Sequence, residues 1–277
     1  MSIATLNFES HYLMSNHEIT VILPNKPRNI LAKNYYESGK KYKVLWLLHG
    51  TFGDHTDWLR RTNIELYACE KDLIVVMPSA LNSNYSNWNS CMMGFSMFDY
   101  LTEELMPLIY NWFPASDKRE DNFIAGLSMG GRGTIKYAVN HPERFAAAAV
   151  LSAAPVEYGK LTEEDLQQDD MFTQRLRGMV ENAGGLESFV KSEENVWSIM
   201  NSLSSSGRLP RLLFACGTAD TMIYENLKIF RDHADKIGIK ADYWTLEGYG
   251  HEWRFWDLAI QKALQFFGLE DTGASPF

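Results

Sequence analysis

Apolar residues in this chain gather into short runs set between stretches of helical period. The runs are Val44-Leu45-Trp46-Leu47-Leu48, Leu73-Ile74-Val75-Val76-Met77, Phe123-Ile124-Ala125-Gly126, Ala146 to Leu151, Leu212-Leu213-Phe214-Ala215 and Ala241 to Leu246. A brief continuous apolar run suits a strand covered on both faces, as in a parallel sheet. Between them, Trp58 to Glu70, Phe98 to Trp112, Gly131 to Asn140, Met222 to Ile237 and Trp253 to Phe267 carry apolar residues at i, i+3 and i+4. That spacing predicts amphipathic helices. Two β-rich stretches, Thr5 to Leu13 and Glu18 to Leu23, come first, and Met14-Ser15-Asn16-His17 between them predicts an antiparallel hairpin.

An antiparallel start followed by repeated strand-helix units predicts an α/β fold. Its core is a mostly parallel eight-stranded sheet with helices on both faces, and its ligand site lies beyond the carboxyl ends of the strands. Residues 156–208 break the rhythm with acidic, helix-prone sequence (Leu161 to Leu166, then Ser192 to Ser202) and no strand. Two readings stand: a helical cap inserted between the sixth and seventh strands, or an ordinary crossover with an extra helix pair. In the first, Met171, Phe172, Trp197 and Met200 would turn apolar surface toward a substrate.

The 277 residues, 45% of them hydrophobic, suffice for a sizeable core in one large domain or two small ones. No run approaches the roughly 18 apolar residues of a membrane span. The start, Met1-Ser2-Ile3-Ala4-Thr5-Leu6-Asn7, has neither a basic n-region nor an apolar h-region, so a soluble, unexported protein is expected. Cys69, Cys91 and Cys216 form no CxxC pair, which fits reduced thiols in a cytoplasm. A formal charge of −9 without a basic cluster argues against nucleic acid or an anionic membrane as partner. Assembly into an oligomer is compatible with the sequence.

The chemistry centres on Gly126-Leu127-Ser128-Met129-Gly130, which ends one apolar run and opens a helical stretch. This is the setting of a nucleophile elbow, where the strand turns so sharply into the helix that glycine is needed two residues either side of the serine. Gly94-Phe95-Ser96-Met97-Phe98 lacks the second glycine and a preceding strand. Serine is a poor nucleophile at neutral pH, so Ser128 needs a base within reach and the base needs an orienting carboxylate. His251, in the glycine-containing loop Gly248 to Trp253 after the last strand, and Asp220, just past the seventh, meet these needs in the expected chain order. Glu225 and Asp242 are reserves for the carboxylate. His11, His17, His55, His141 and His233 are disfavoured by position.

Two backbone N–H groups should meet the oxyanion. Met129, directly after the nucleophile, supplies one, and Thr51 in Leu48-His49-Gly50-Thr51-Phe52-Gly53 is the candidate for the other, with His49 bracing that turn. Tyr85 and Trp88, in the polar loop past the fourth strand, are candidate substrate contacts beside Phe172 and Trp197, while Trp253 and Trp256 are expected mainly to pack. There is no HExxH, no His and carboxylate cluster at ligand spacing, no GxGxxG and no P-loop lysine, so neither metal nor cofactor is expected.

Leu47-Leu48-His49-Gly50 with Gly53 and Trp58, Gly126 to Gly131, Gly217-Thr218-Ala219-Asp220 and Gly250-His251-Glu252-Trp253 together resemble the α/β-hydrolase superfamily. Within it they are similar to the esterase D, tributyrin esterase and feruloyl esterase group. The resemblance runs through most of the chain and implies a single α/β-hydrolase domain over 1–277, and the chain departs from it at about 156–208, where the segment read above as a cap insertion is longer than in the smallest members of the group. It assigns Ser128 as nucleophile, His251 as base, Asp220 as orienter, and Met129 and Thr51 as oxyanion donors. It implies a metal-independent serine carboxylesterase cleaving short-chain or hydroxycinnamoyl esters, an acylated carbohydrate among them. Thioester hydrolysis as in S-formylglutathione hydrolase, or acyl transfer, is the alternative.

Overall fold

The computed structural model describes residues 2–91 and 93–272. Eight strands make one sheet: β1 (Ser2–Ser10), β2 (Ser15–Leu23), β3 (Val44–Leu48), β4 (Ile74–Pro78), β5 (Asn122–Leu127), β6 (Ala147–Leu151), β7 (Arg211–Gly217) and β8 (Asp242–Leu246). Their spatial order is β1-β2-β4-β3-β5-β6-β7-β8. β1 and β2 form an antiparallel hairpin, β2 meets β4 antiparallel, and every pairing from β4 to β8 is parallel. The hairpin turn falls at residues 11–14, a few positions before the expected one.

The apolar runs mark the middle of this sheet. Every residue of β3, β4, β5 and β6 is buried, whereas edge strand β1 alternates and edge strand β8 is only half covered. The helices include α1 (Asp57–Arg61), α2 (Ile64–Glu70), α3 (Met106–Trp112), α4 (Met129–Asn140), α5 (Met171–Asn182), α6 (Leu186–Lys191), α7 (Val196–Leu203), α8 (Tyr224–Lys236) and α9 (Trp253–Phe266), and of these all but α5 and α6, which share a small apolar cluster of their own, pack on the two faces of the sheet. One core layer packs Trp46, Ile124 and Val150 of the sheet with Tyr137 of α4, Trp197 of α7 and Phe230 of α8. The other packs Leu45, Leu47 and Phe123 with Trp58, Phe255 and Ile260.

Two expected helices are interrupted. Trp58 to Glu70 divides at Thr62 and Asn63, where Thr62 Oγ1 turns back to accept from the Ile64 N–H and gives its own proton to the Trp58 carbonyl. Phe98 to Trp112 carries a π-helical stretch at Tyr100–Leu105, just before Pro107, which has no N–H for the regular ladder.

Residues 156–208 lie between β6 and β7 and contain α5, α6 and α7. The expected helix at Leu161 to Leu166 is a turn, and the long helix is α5, started by Asp170, whose side chain accepts from the Phe172 and Thr173 N–H groups. α7 packs on α4 over the sheet, whereas α5 crosses the carboxyl end of the strands. The segment therefore combines a crossover helix with one that overhangs the site.

Candidate active site

Ser128 stands between β5 and α4 at φ 54° and ψ −115°, a left-handed backbone setting that costs a non-glycine residue about 1–3 kcal/mol. Close packing holds it there. A Cβ on Gly126 would come within 2.5 Å of the Gly130 carbonyl oxygen and 2.8 Å of Leu48 Cβ, and one on Gly130 within 2.5 Å of the Leu48 and His49 carbonyl oxygens. The Ser128 N–H gives a 2.8 Å bond to the Leu151 carbonyl, anchoring the turn to β6. The side chain is thereby lifted over the strand ends.

Loops after β7 and β8 bring up the partners. His251 Nε2 lies 2.9 Å from Ser128 Oγ, and His251 Nδ1 lies 2.7 Å from Asp220 Oδ2. Asp220 is 1% exposed and also accepts from the Met222 N–H at 3.3 Å. Burial first, then the Asp220 charge, pushes the neighbouring Cys216 thiol up to about 12, so it stays protonated beneath the carboxylate. The His251 ring meets the edge of Trp256 at 5.0 Å between centroids, and Trp256 Nε1 donates to Ser152 Oγ. Glu225 pairs instead with Lys228 on the surface of α8, and Asp242 opens β8 exposed to solvent.

Met129 is the first residue of α4, where an N–H has no partner within the helix. Thr51 borders the same cavity as Ser128 and Met129. His49, 1% exposed, fixes this loop: the Ala80 N–H donates to its Nε2 at 2.8 Å, so the ring proton sits on Nδ1 and is given to the Gly50 carbonyl at 2.7 Å. Burial pushes its pKa down to about 4, which keeps the ring neutral.

Two cavities flank Ser128. One, of about 210 Å³, is walled by Met129, Arg132, Tyr158, Arg175, Leu176 and Met179. The other, of about 360 Å³, is walled by Phe52, Arg61, Met171, His251, Trp253 and Trp256. Thr51, Phe172 and Met222 border both. Among the described residues no three His, Cys, Asp or Glu side chains are grouped to hold a metal ion, and no helix is long and apolar enough to cross a membrane.

Of the four aromatic residues expected at the substrate, Phe172 alone borders these cavities. Tyr85 is fully buried because its own left-handed backbone (φ 53°) turns the ring inward beneath Gly133, where its hydroxyl donates to the His49 carbonyl. Trp88 donates from Nε1 to the Ser83 carbonyl and lays its ring against Gly178 of α5. Trp197, 6% exposed, stacks on His233 at 4.2 Å and borders a separate cavity with Glu157 and Ser198. Met200 is core. Arg132 and Arg175 were not anticipated. Arg132 could have been found, for it lies one turn beyond Ser128 on the same helix face, with its charge against the positive end of the helix dipole.

The Esterase family model matches residues 10–267. An acetyl esterase of Caldicellulosiruptor saccharolyticus is 30% identical over 270 residues, 96% of this chain and 98% of that protein. Among solved structures, the fluorophosphonate-binding serine hydrolase FphF of Staphylococcus aureus superposes with a TM-score of 0.78 at 32% identity, covering 96% of this chain and 98% of its own. The S-formylglutathione hydrolase FrmB of the same organism gives 0.76 at 33% identity, over 96% and 99%. With the family model matched over most of the chain and relatives of 30% identity and above covered almost end to end, the chain belongs to the Esterase family, has an α/β-hydrolase fold and is a carboxylic ester hydrolase.

Proposed function

We propose that the protein is a serine carboxylesterase acting through an acyl-enzyme, with Ser128 as nucleophile, His251 as proton shuttle, Asp220 as orienter, and the Met129 and Thr51 N–H groups as oxyanion donors. The observation that carries this is the unbroken chain from Asp220 Oδ2 through His251 to Ser128 Oγ, with links of 2.7 and 2.9 Å. Ser128 Oγ attacks the ester carbonyl and gives its proton to His251 Nε2. The oxyanion is met by the two N–H groups, and the buried Asp220 carboxylate stabilises the imidazolium. His251 then hands the proton to the departing alcohol oxygen, and a water activated by the same nitrogen releases the acid.

Because the leaving oxygen must meet His251, the alcohol belongs in the 360 Å³ cavity that His251 borders and the acyl group in the 210 Å³ cavity on the other side of Ser128. A short acyl group is in keeping with the acetyl esterase relative. Trp253 and Phe52 beside the larger cavity suit a sugar ring or an aromatic alcohol. Phe172, on the overhanging helix α5, closes both sides and gives α5 the role of a lid. Thioester hydrolysis, the activity for which FrmB is named, is the second reading.

A fluorophosphonate probe should label one peptide, Gly126 to Gly130, and a panel of p-nitrophenyl acetate, butyrate and octanoate with methyl ferulate, an acetylated sugar and S-formylglutathione should rank short oxyesters first. Undiminished labelling of Ser128→Ala would remove the nucleophile assignment. Turnover of S-formylglutathione above the oxyesters would move the reading to a thioesterase.

A further inference from the structure

Two guanidinium groups border the acyl-side cavity, and among the described residues no carboxylate answers either of them. Arg132, in the first turn of α4, makes no side-chain hydrogen bond or ion pair among the described residues. Arg175, from α5, directs Nη1 and Nη2 at one neutral acceptor, Thr51 Oγ1, at 3.3 Å each, and passes the Phe172 ring at 5.9 Å. Both side chains are half-buried. Glu194, which borders a small adjoining cavity with Arg132, is already engaged by Lys136 Nζ, and Asp220 is engaged by His251.

Each arginine is placed at a cost. Arg132 opposes the positive end of its helix dipole. Burial, and then the charge of Arg132, push the Arg175 pKa down, and only Tyr158 acts in the other direction. In a chain of net charge −9, two facing cations left without a counterion are not explained by general surface composition. Buried charge is normally paired, and the partner missing here is one that a ligand can bring. Guanidinium forks match a carboxylate with two parallel hydrogen bonds.

We propose that the cavity beside Ser128 receives a carboxylate carried by the substrate, held between Arg132 and Arg175. The inference rests on the serine-esterase reading and deepens it, since it names the substrate class as half-esters of dicarboxylic acids. The anion belongs to the acyl half because Arg132 and Arg175 border the cavity that His251 does not. The same chemistry could reach the arginines from a charged leaving group, and the test separates the two.

Ethyl hydrogen succinate and ethyl hydrogen adipate, compared with ethyl butyrate and ethyl hexanoate, place or omit the charge in the acyl half. 4-Carboxyphenyl acetate compared with phenyl acetate does so in the leaving half. Hydrolysis followed in a pH-stat should give kcat/KM at least about tenfold higher for one acyl-charged ester than for its neutral partner, with the phenyl pair indifferent. Arg132→Gln and Arg175→Gln should each cut that preference about tenfold, and Arg175→Lys should keep part of it. A preference confined to 4-carboxyphenyl acetate and lost in the arginine variants would overturn the acyl assignment and move the anion to the leaving half. Preference for neutral esters in both series, or a preference untouched by either substitution, would overturn the proposal while leaving the esterase reading in place. Phenyl acetate hydrolysis surviving in Ser128→Ala would instead remove that reading. Where a glutamine variant fails to fold, competition in the wild type decides: glutarate should inhibit phenyl acetate hydrolysis and glutaramide should not, and equal behaviour of the two would overturn the carboxylate site.

Discussion

Lys136 Nζ lies 2.8 Å from Glu194 Oε1, and the two side chains are only 3% and 9% exposed. The ammonium spends its remaining protons on the Asn84 carbonyl at 3.1 Å and Ser86 Oγ at 2.9 Å. One charge thus ties the helix that begins beside Ser128 to the loop after β4 and to the segment between α6 and α7. Removing one partner strands the other in a dry setting, so Lys136→Met should lower unfolding stability by about 3–5 kcal/mol in urea titration. Lys136→Met combined with Glu194→Leu should be less destabilised than Lys136→Met alone. A double variant at least as unstable as the single would show that the pair's worth lies in packing.

Asp220 is tested by an amide of the same shape. Asp220→Asn should fold normally, because the Met222 N–H can still find an oxygen, yet lose on the order of 10⁴ in kcat, because an amide favours the wrong imidazole tautomer. Glu225→Gln and Asp242→Asn, both at exposed positions, should stay within about twofold of wild type. Steady-state kinetics on p-nitrophenyl acetate distinguishes them, and equal damage at Glu225 or Asp242 would reassign the carboxylate.

His49 carries the third prediction. The Gly50 carbonyl and the Thr51 N–H belong to one planar peptide, so a ring proton that holds the carbonyl also turns the N–H the other way. His49→Phe removes both ring hydrogen bonds. It should lower kcat by about 10²–10³, the usual effect of one lost oxyanion donor, with KM near its wild-type value. A fall confined to KM would show that the loop shapes the binding cavity and does not position a donor.

The same burial sets a pH window. His49 and His17 are each held down to about 4 from a normal 6.5, so between these values the unfolded chain binds protons that the native one refuses. Their stabilising contribution is full above about pH 6.5 and falls away as pH drops toward 4, by on the order of 3 kcal/mol for each histidine. Tm should therefore decline between pH 6.5 and 4, and His17→Phe should flatten the decline. An unchanged slope in that variant would place the acid sensitivity elsewhere.

What the sequence reveals follows from how local each signal is. The strands of the sheet centre are legible because a strand covered on both faces cannot afford polar positions, and β3 falls on Val44–Leu48 as expected. Ser128, His251 and Asp220 are legible because a strand-turn-helix motif and two strand-end loops fix their places, and the structure brings all three within hydrogen-bond reach. Side-chain direction in loops is not local. Tyr85 is turned into the core by a left-handed backbone that no neighbouring glycine announces, and Trp197 is drawn to Phe230 and His233 of α8, far along the chain. The arginines escape for the opposite reason: an exposed helical face explains a charged residue so readily that a missing counterion shows only in three dimensions.

The contrast between Phe172 and Trp197 separates recognition from packing within residues 156–208. Phe172 is 49% exposed on the first turn of α5 and borders both cavities, so its ring meets whatever occupies either side of Ser128. Trp197 lies under α8, stacked on His233 and edge-on to Phe230, and borders neither. Phe172→Ala should change the ratio of kcat/KM between acetate and octanoate esters by about tenfold, roughly 1.4 kcal/mol of differential binding, while Tm hardly moves. Trp197→Ala should do the reverse, lowering stability by about 3–5 kcal/mol while scaling all substrates alike in whatever fraction stays folded. If Phe172→Ala also scales every substrate equally, α5 shelters the site without selecting among acyl groups, and selection must come from the deeper wall formed by Tyr158, Leu176 and Met179.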